Sequence, residues 1–294
     1  MRIRSEDLHL KFNGMNLHAI NTGFFKLDGG AMFGVVPKSL WQRTNPADEN
    51  NLCTWAMRCL LVEDGDHLIL IDNGLGKKQS EKFFSYYYLH GDDSLEKSLH
   101  SAGFTADDVT DMFLTHLHFD HCGGSIKYDE EKTSVLTFRN AIYWSNESHW
   151  KWATDPNPRE KASFLQENII PIQESGHLEF IPLSGKSGFE NIEVIFADGH
   201  TDKQMLPMIR YKDQTIVFIA DLLPSAGHIQ LSYVMGYDTR PLITMAEKKV
   251  FLDEAADKGY ILFLEHDPIN ECCTVKHTEK GVRLDQVFKL QDII

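Results

Sequence analysis

Residues 116–121 read His-Leu-His-Phe-Asp-His, which places three imidazoles and a carboxylate within six residues. In an extended segment, residues two apart point to the same side. His116 and His118 can therefore grip one metal ion as a pair, while Leu117 and Phe119 point away from it. The chain then turns at Asp120-His121, and Gly123-Gly124 allow the backbone to approach closely. Asp120 and His121 can thus face a second metal beside the first. Imidazole and carboxylate suit zinc, iron, nickel or cobalt, and no thiolate is required. A lone histidine is more often a surface or core residue. Four ligand-type side chains between an apolar run and paired glycines are harder to dismiss, and they carry the reading of a metal centre.

The rest of the chain supplies a scaffold for such a centre. Leu17–Ile20 opens a first strand. Met57–Val62 and Leu68–Ile71 read as a hairpin around Glu63-Asp64-Gly65-Asp66, closed by turn residues Asp72-Asn73-Gly74. Asp93 is expected to cap a helix over Ser94–Ser101, with Glu96 as its partner and Gly103 ending it. Further strands are expected at Val109–Thr115, Val135–Trp144, Ile192–Ala197, Met208–Tyr211, Ile216–Ala220 and Tyr260–Leu264. Helices are expected at Asn146–Ala153, Pro158–Gln166, Leu242–Lys258 and Thr278–Leu290. No linker or repeat divides the 294 residues, which reads as one domain of sheets covered by helices. The segment 24–51, with Gly29, Gly30, Gly34, Pro37 and Pro46 among apolar residues, reads as a long N-terminal loop. It packs on the body, lines a pocket or meets a second copy of the chain in a homodimer.

Charge and composition exclude several function classes. The formal net charge of -14, without a Lys/Arg-rich block, argues against nucleic acid as a partner. No apolar run is long enough for a membrane span. The opening MRIRSEDLHL has no secretory pattern, so a cytoplasmic location is expected. Five cysteines without a C-x-x-C pair argue against a disulfide framework and a zinc ribbon. Cys122, although inside the motif, reads as a packing residue.

Thr115–Gly124, THLHFDHCGG, resembles the signature of the metallo-β-lactamase superfamily. Asp72-Asn73-Gly74, Asp198-Gly199-His200-Thr201, Phe218-Ile219-Ala220-Asp221 and Leu264-Glu265-His266 resemble its later segments, in the same order. The resemblance implies an α/β fold, a four-layer αβ/βα sandwich of two mixed sheets flanked by helices, with the site at one sheet edge. It also implies two divalent metal ions per chain, zinc first and iron, cobalt, nickel or manganese as alternatives. His116, His118 and His200 would hold one, Asp120, His121 and His266 the other, and Asp221 would bridge them. The remaining histidines, including His9, His67, His149 and His277, are expected to be ordinary surface or core residues.

Asp221 replaces the Cys of antibiotic-hydrolysing members, and His118 stands where diiron flavoproteins carry Glu. Gly30–Pro37 followed by Trp41 resembles the N-terminal loop of the lactonase and organophosphate-hydrolase branch, which is methyl parathion hydrolase-like. Pro224 occupies the place of a tyrosine that assists well-known acyl-homoserine lactonases, which puts those substrates in doubt. The expected function is metal-dependent hydrolysis of a small-molecule lactone or ester, extending to phosphotriesters. A shared water with its pKa lowered toward ~7 would attack, and Asp120 and Asp221 would act as catalytic carboxylates. The alternatives are a thioester or phosphodiester hydrolase of the same fold, and a metal-binding protein without turnover. Met32, Phe33, Trp41, Phe119 and His228 are candidates for an apolar pocket rim.

Overall fold

The computed structural model describes residues 14–294, so the reading of the first ten residues, and His9 with it, lies outside the described residues. β1 (Asn16–Asp28) leads through α1 (Gly29–Phe33) and α2 (Lys38–Trp41) to β2 (Leu52–Asp64) and β3 (His67–Ile71). Next come α3 (Glu81–Ser85), α4 (Leu95–Ser101), β4 (Asp111–Phe113) and α5 (Phe119–Cys122). β5 (Ile126–Tyr128) and β6 (Ser134–Leu136) pair as a separate ribbon. β7 (Ile142–Ser145), α6 (Glu147–Thr154), α7 (Gln166–Glu174) and β8 (Leu178–Phe180) complete the first half. The second half contains β9 (Ile192–Ala197), β10 (Gln204–Tyr211), β11 (Gln214–Phe218), α8 (Pro241–Lys258), β12 (Ile261–Phe263), β13 (Cys272–Thr278) and β14 (Gly281–Phe288).

The strands form two mixed sheets, ordered β1-β2-β3-β4-β7-β8 and β14-β13-β12-β11-β10-β9. Alternation along the strands explains the layering. Leu60, Val62, Ile69, Ile71 and Phe113 join Leu206, Val217 and Phe263 of the second sheet in one buried cluster. The intervening Cys59, Leu61, Leu68 and Leu70 pack with Leu95 and Leu99 of α4, Trp150 and Ala153 of α6, and Ile169 and Ile172 of α7. α8 covers β13 and β14 on the far side. Period-two residues thus give each sheet an inner and an outer apolar face. Each fully buried Leu or Ile contributes on the order of 1.5–3 kcal/mol relative to exposure. The result is the expected helix–sheet–sheet–helix sandwich. Among the described residues, no helix is long and apolar enough to cross a membrane.

Several local expectations are corrected. Ser94, rather than Asp93, caps α4, its hydroxyl accepting from the Lys97 N–H. The segment 158–165 forms turns instead of a helix, because the Asn157 side chain accepts from the Arg159 and Glu160 backbones and competes with helical bonding. Val135–Trp144 breaks into β6 and β7, which belong to different sheets. Thr278–Leu290 is mostly β14, an edge strand folded back at Gly281 (φ 85°) and paired with β13 through Val275↔Leu284.

The segment 24–51 is not a loop throughout. β1 pairs with β2 as far as Asp28↔Leu52, and α1 and α2 follow. Phe33 and Trp41 are fully buried and stacked, with ring centroids 5.3 Å apart, and they share a third core with Phe25, Met32 and Trp55. Gly29 is required there, since a Cβ would lie 2.3 Å from the Trp41 ring.

Candidate metal centre

The strands deliver their following residues to one edge of the sandwich. β4 runs into Thr115–His118 and then α5, β9 leads to His200, β11 to Asp221 and β12 to His266. Ala220 is held at φ 41°, an uncommon conformation for a residue with a Cβ, and it opens the tight turn that presents Asp221. The paired glycines serve the approach read from the sequence: a Cβ on Gly123 would lie 2.3 Å from the Leu75 carbonyl oxygen.

All seven predicted ligands come together. His116, His118, His200 and Asp221 form one group able to hold a metal, and Asp120, His121 and His266 form another. Asp221 faces both groups. Its Oδ2 lies 3.1 Å from His200 Nε2 and 3.8 Å from His116 Nε2, while Oδ1 lies 3.2 Å from His266 Nε2. His118 Nδ1 is 3.1 Å from both His116 Nε2 and His200 Nε2, and His121 Nε2 is 3.1 Å from His266 Nε2. Ligand nitrogens around a tetrahedral zinc stand about 3.3 Å apart, given Zn–N bonds of about 2.0–2.1 Å. Asp120 is the looser member, with Oδ2 3.9 Å from both His121 Nε2 and His266 Nε2.

The outer nitrogens fix which lone pairs point inward. His200 Nδ1 donates to Asp238 at 2.9 Å, and His266 Nδ1 donates to the Ala56 carbonyl at 2.7 Å. His121 Nδ1 faces Asp72 and Glu265, each at 3.0 Å. His116 Nδ1 meets the Thr115 hydroxyl at 3.1 Å, and that hydroxyl donates onward to Asp72 at 2.6 Å. His118 Nε2 faces Glu160 at 3.4 Å. With every outer nitrogen directed at an acceptor, the five inner nitrogens present lone pairs to one another and to Asp221. Asp221 Oδ1, although buried, has no hydrogen-bond donor. Such a convergence of acceptors is a donor set for cations.

The carboxylates around the cluster exert the same pull on protons. Burial opposes charge on His200 and His266, but Asp221 beside each, with Asp238 and Glu265, outweighs burial and pushes them up to about 10 and about 9. Burial also opposes ionisation of Asp221, yet His200, His266 and His121 hold it well below the usual carboxylate range. Burial, together with the neighbouring His121 and His118, pushes His116 well down. The cluster draws positive charge inward.

Above the centre lies a cavity of about 330 Å³. Phe25, Leu27, Met32, Phe119 and Met235 give it an apolar side, and Tyr87, Tyr237 and Arg159 add polar groups. Of the rim candidates, Met32 and Phe119 line the cavity. Phe33, Trp41 and His228 do not: His228 stacks on Phe33 at 4.2 Å and its Nε2 donates to the Met32 carbonyl. Cys122 is buried, its thiol donating to the Leu117 carbonyl, and it joins neither group.

Sequence reasoning missed Glu160, Asp238 and Glu265, whose roles depend on neighbours far along the chain. It also passed over His149, which is buried and holds the motif from behind. Its Nε2 accepts from the Leu117 N–H at 2.9 Å, and its Nδ1 donates to the Asp202 carbonyl. The helix that begins at Asn146 was legible, but the contacts that its His149 makes with Leu117 and Asp202 are long-range and carry no local signal.

Comparison with known proteins places this geometry. An N-acyl homoserine lactonase of Bacillus cereus is 21% identical over 245 residues, covering 75% of this chain and 89% of the relative. A probable metal-dependent hydrolase from Staphylococcus aureus superposes with a TM-score of 0.82 at 26% identity, over 97% of this chain and 100% of the other. A dizinc quorum-quenching lactonase, solved with the product N-hexanoyl-L-homoserine, has a TM-score of 0.76 at 24% identity, over 95% and 97% of the two chains. The model of the metallo-beta-lactamase superfamily matches residues 58–266, a span from within β2 to the final histidine of the cluster, and the chain belongs to that superfamily.

Proposed function

We propose that this chain is a hydrolase that uses a pair of metal ions to open a lactone or cleave an ester. The observation that carries the reading is Asp221, whose two oxygens face two separate groups of inward lone pairs. The likeness to a lactonase of Bacillus cereus supports the substrate class. The metal pair, when bound, supplies Lewis acidity and a water whose pKa falls toward ~7.

The chain's own residues do the rest. Asp221 stays ionised among three imidazoles and fixes the spacing of the two groups. Asp120, which lines the cavity, orients the attacking water and accepts its proton. The apolar side of the cavity receives the acyl or alkyl part of the substrate and excludes bulk water from the reacting carbonyl. Pro224 is buried and offers no hydroxyl, so carbonyl activation by a tyrosine at that position is absent from this reading.

A substrate panel tests it. Lactones and aryl esters should be cleaved faster than glutathione thioesters or phosphodiesters, and chelation should abolish turnover until metal is restored. Undiminished turnover after metal depletion, or cleavage of thioesters or phosphodiesters alone, would overturn the reading.

A further inference from the structure

The cavity above the centre has one lysine or arginine in its lining, Arg159. Its neighbour Glu160 turns inward and accepts from Trp152 Nε1 at 2.7 Å and Asn157 Nδ2 at 2.5 Å, while facing His118. The Asn157 side chain accepts from the Arg159 and Glu160 backbones, so the turn is held on both sides. Arg159 itself reaches across to the segment that supplies Asp238, and its Nη2 donates to the Gly236 and Asp238 carbonyls. These two acceptors are neutral. No carboxylate lies within ion-pair distance of Arg159 among the described residues.

A guanidinium carries five N–H donors in a planar fork. One nitrogen anchors Arg159 to two carbonyls, which leaves Nη1 and Nε without a partner in the described residues. The charge therefore has no ion-pair partner, is held in place by two carbonyls, and stands at the exposed edge of a cavity whose lining also includes Phe25, Leu27, Met32 and Met235. Carbonyl anchoring removes much of the entropy cost of ordering a long side chain, and the remaining donors match the two oxygens of an oxyanion.

We propose that Arg159 is a specificity residue, and that the substrate is a lactone or ester bearing a carboxylate or phosphonate-like oxyanion away from the bond that is cleaved. The proposal rests on the hydrolase reading above for the bond class, but not for the anion. Charge-assisted hydrogen bonds contribute roughly 1.5–3 kcal/mol, which corresponds to a preference of about 10–100-fold.

The test uses the metal-loaded full chain with three para-nitrophenyl esters of equal length: hexanoate, the monoester of adipate, and a phosphonate-terminated homologue. The wild type should prefer at least one anionic ester by about 10-fold or more in kcat/KM, chiefly through KM. Arg159→Gln keeps an amide donor for the carbonyls and removes the charge. In it the anionic preference should collapse toward unity, while the neutral ester loses far less. No anionic preference in the wild type, a preference that survives in Arg159→Gln, or an equal loss on all three esters with lowered metal content would overturn the proposal. Calorimetric binding of the matching ethers, which lack the scissile carbonyl, separates the two readings. If no ester is cleaved the hydrolase reading falls, and ether binding still decides Arg159: an anion preference abolished by Arg159→Gln supports it, and its absence overturns it.

Discussion

The metal cradle and the cavity wall above it are built on opposite plans. In the cradle every histidine is buried and its outer nitrogen faces an acceptor, so each ring is fixed by a second residue. The wall draws single side chains from β1, α1, α5 and the turns around 159 and 236. The cradle decides which chemistry is available. The wall is placed to decide what is admitted, and its apolar side chains belong to neither ligand group.

The largest effect should come from the cradle. Asp221→Ala removes the residue shared by both groups, and turnover should fall by on the order of 10³ or more while circular dichroism stays native. Activity within tenfold of wild type would break the distinction between the two regions. Trp41→Ala comes next and probes the third core, which supports the wall from behind. It deletes a buried ring stacked on Phe33 and should destabilise by about 3–5 kcal/mol in urea unfolding, with metal content preserved. A negligible loss would mean that the segment 24–51 does not depend on its packing.

Substitution one step outside the ligands sharpens the comparison. Glu160→Gln and Asp238→Asn should each weaken metal affinity by about 10–100-fold, read by competition with a chelator. By contrast, Met32→Ala on the wall should leave affinity for metal unchanged and raise KM for long acyl chains by several-fold relative to short ones. Equal effects of the two kinds of change would erase the difference.

The smallest effect lies away from the site. The hydrogen bond that His67 Nδ1 donates to Asp111 raises the His67 pKa above its usual value, against burial. A raised folded-state value means that this stabilisation is complete below about pH 6.5 and is lost as pH rises through the folded value. The urea midpoint should therefore decline slightly between pH 6 and pH 8 in wild type, and less in His67→Gln. His67 is half exposed, so the difference is small.

The contrast also explains what could be read in the chain. His116–His121 declares itself because its ligands are near neighbours and their residue types are unusual together. His200, Asp221 and His266 are legible only through the resemblance of the segments that carry them to later segments of the superfamily, in the same order. Glu160 and Asp238 look like any surface acid in sequence, and only the folded chain brings them to His118 and His200. Arg159 was equally silent, since it sits in a turn that reads as helix until the Asn157 side chain is seen taking the backbone hydrogen bonds. β14 was read as helix because its residues are mostly exposed, at an edge where no alternation of burial marks a strand. Sheets covered by helices were legible from apolar runs such as Leu68–Ile71 and Ile216–Phe218, and the four-layer sandwich followed from the resemblance.

The most direct test of the account is metal stoichiometry on the purified chain, measured by inductively coupled plasma mass spectrometry after exhaustive dialysis against metal-free buffer. The account predicts about two divalent ions per chain in wild type, and loss of both in Asp221→Ala to well below one. A fully active wild type holding one ion or none would contradict it.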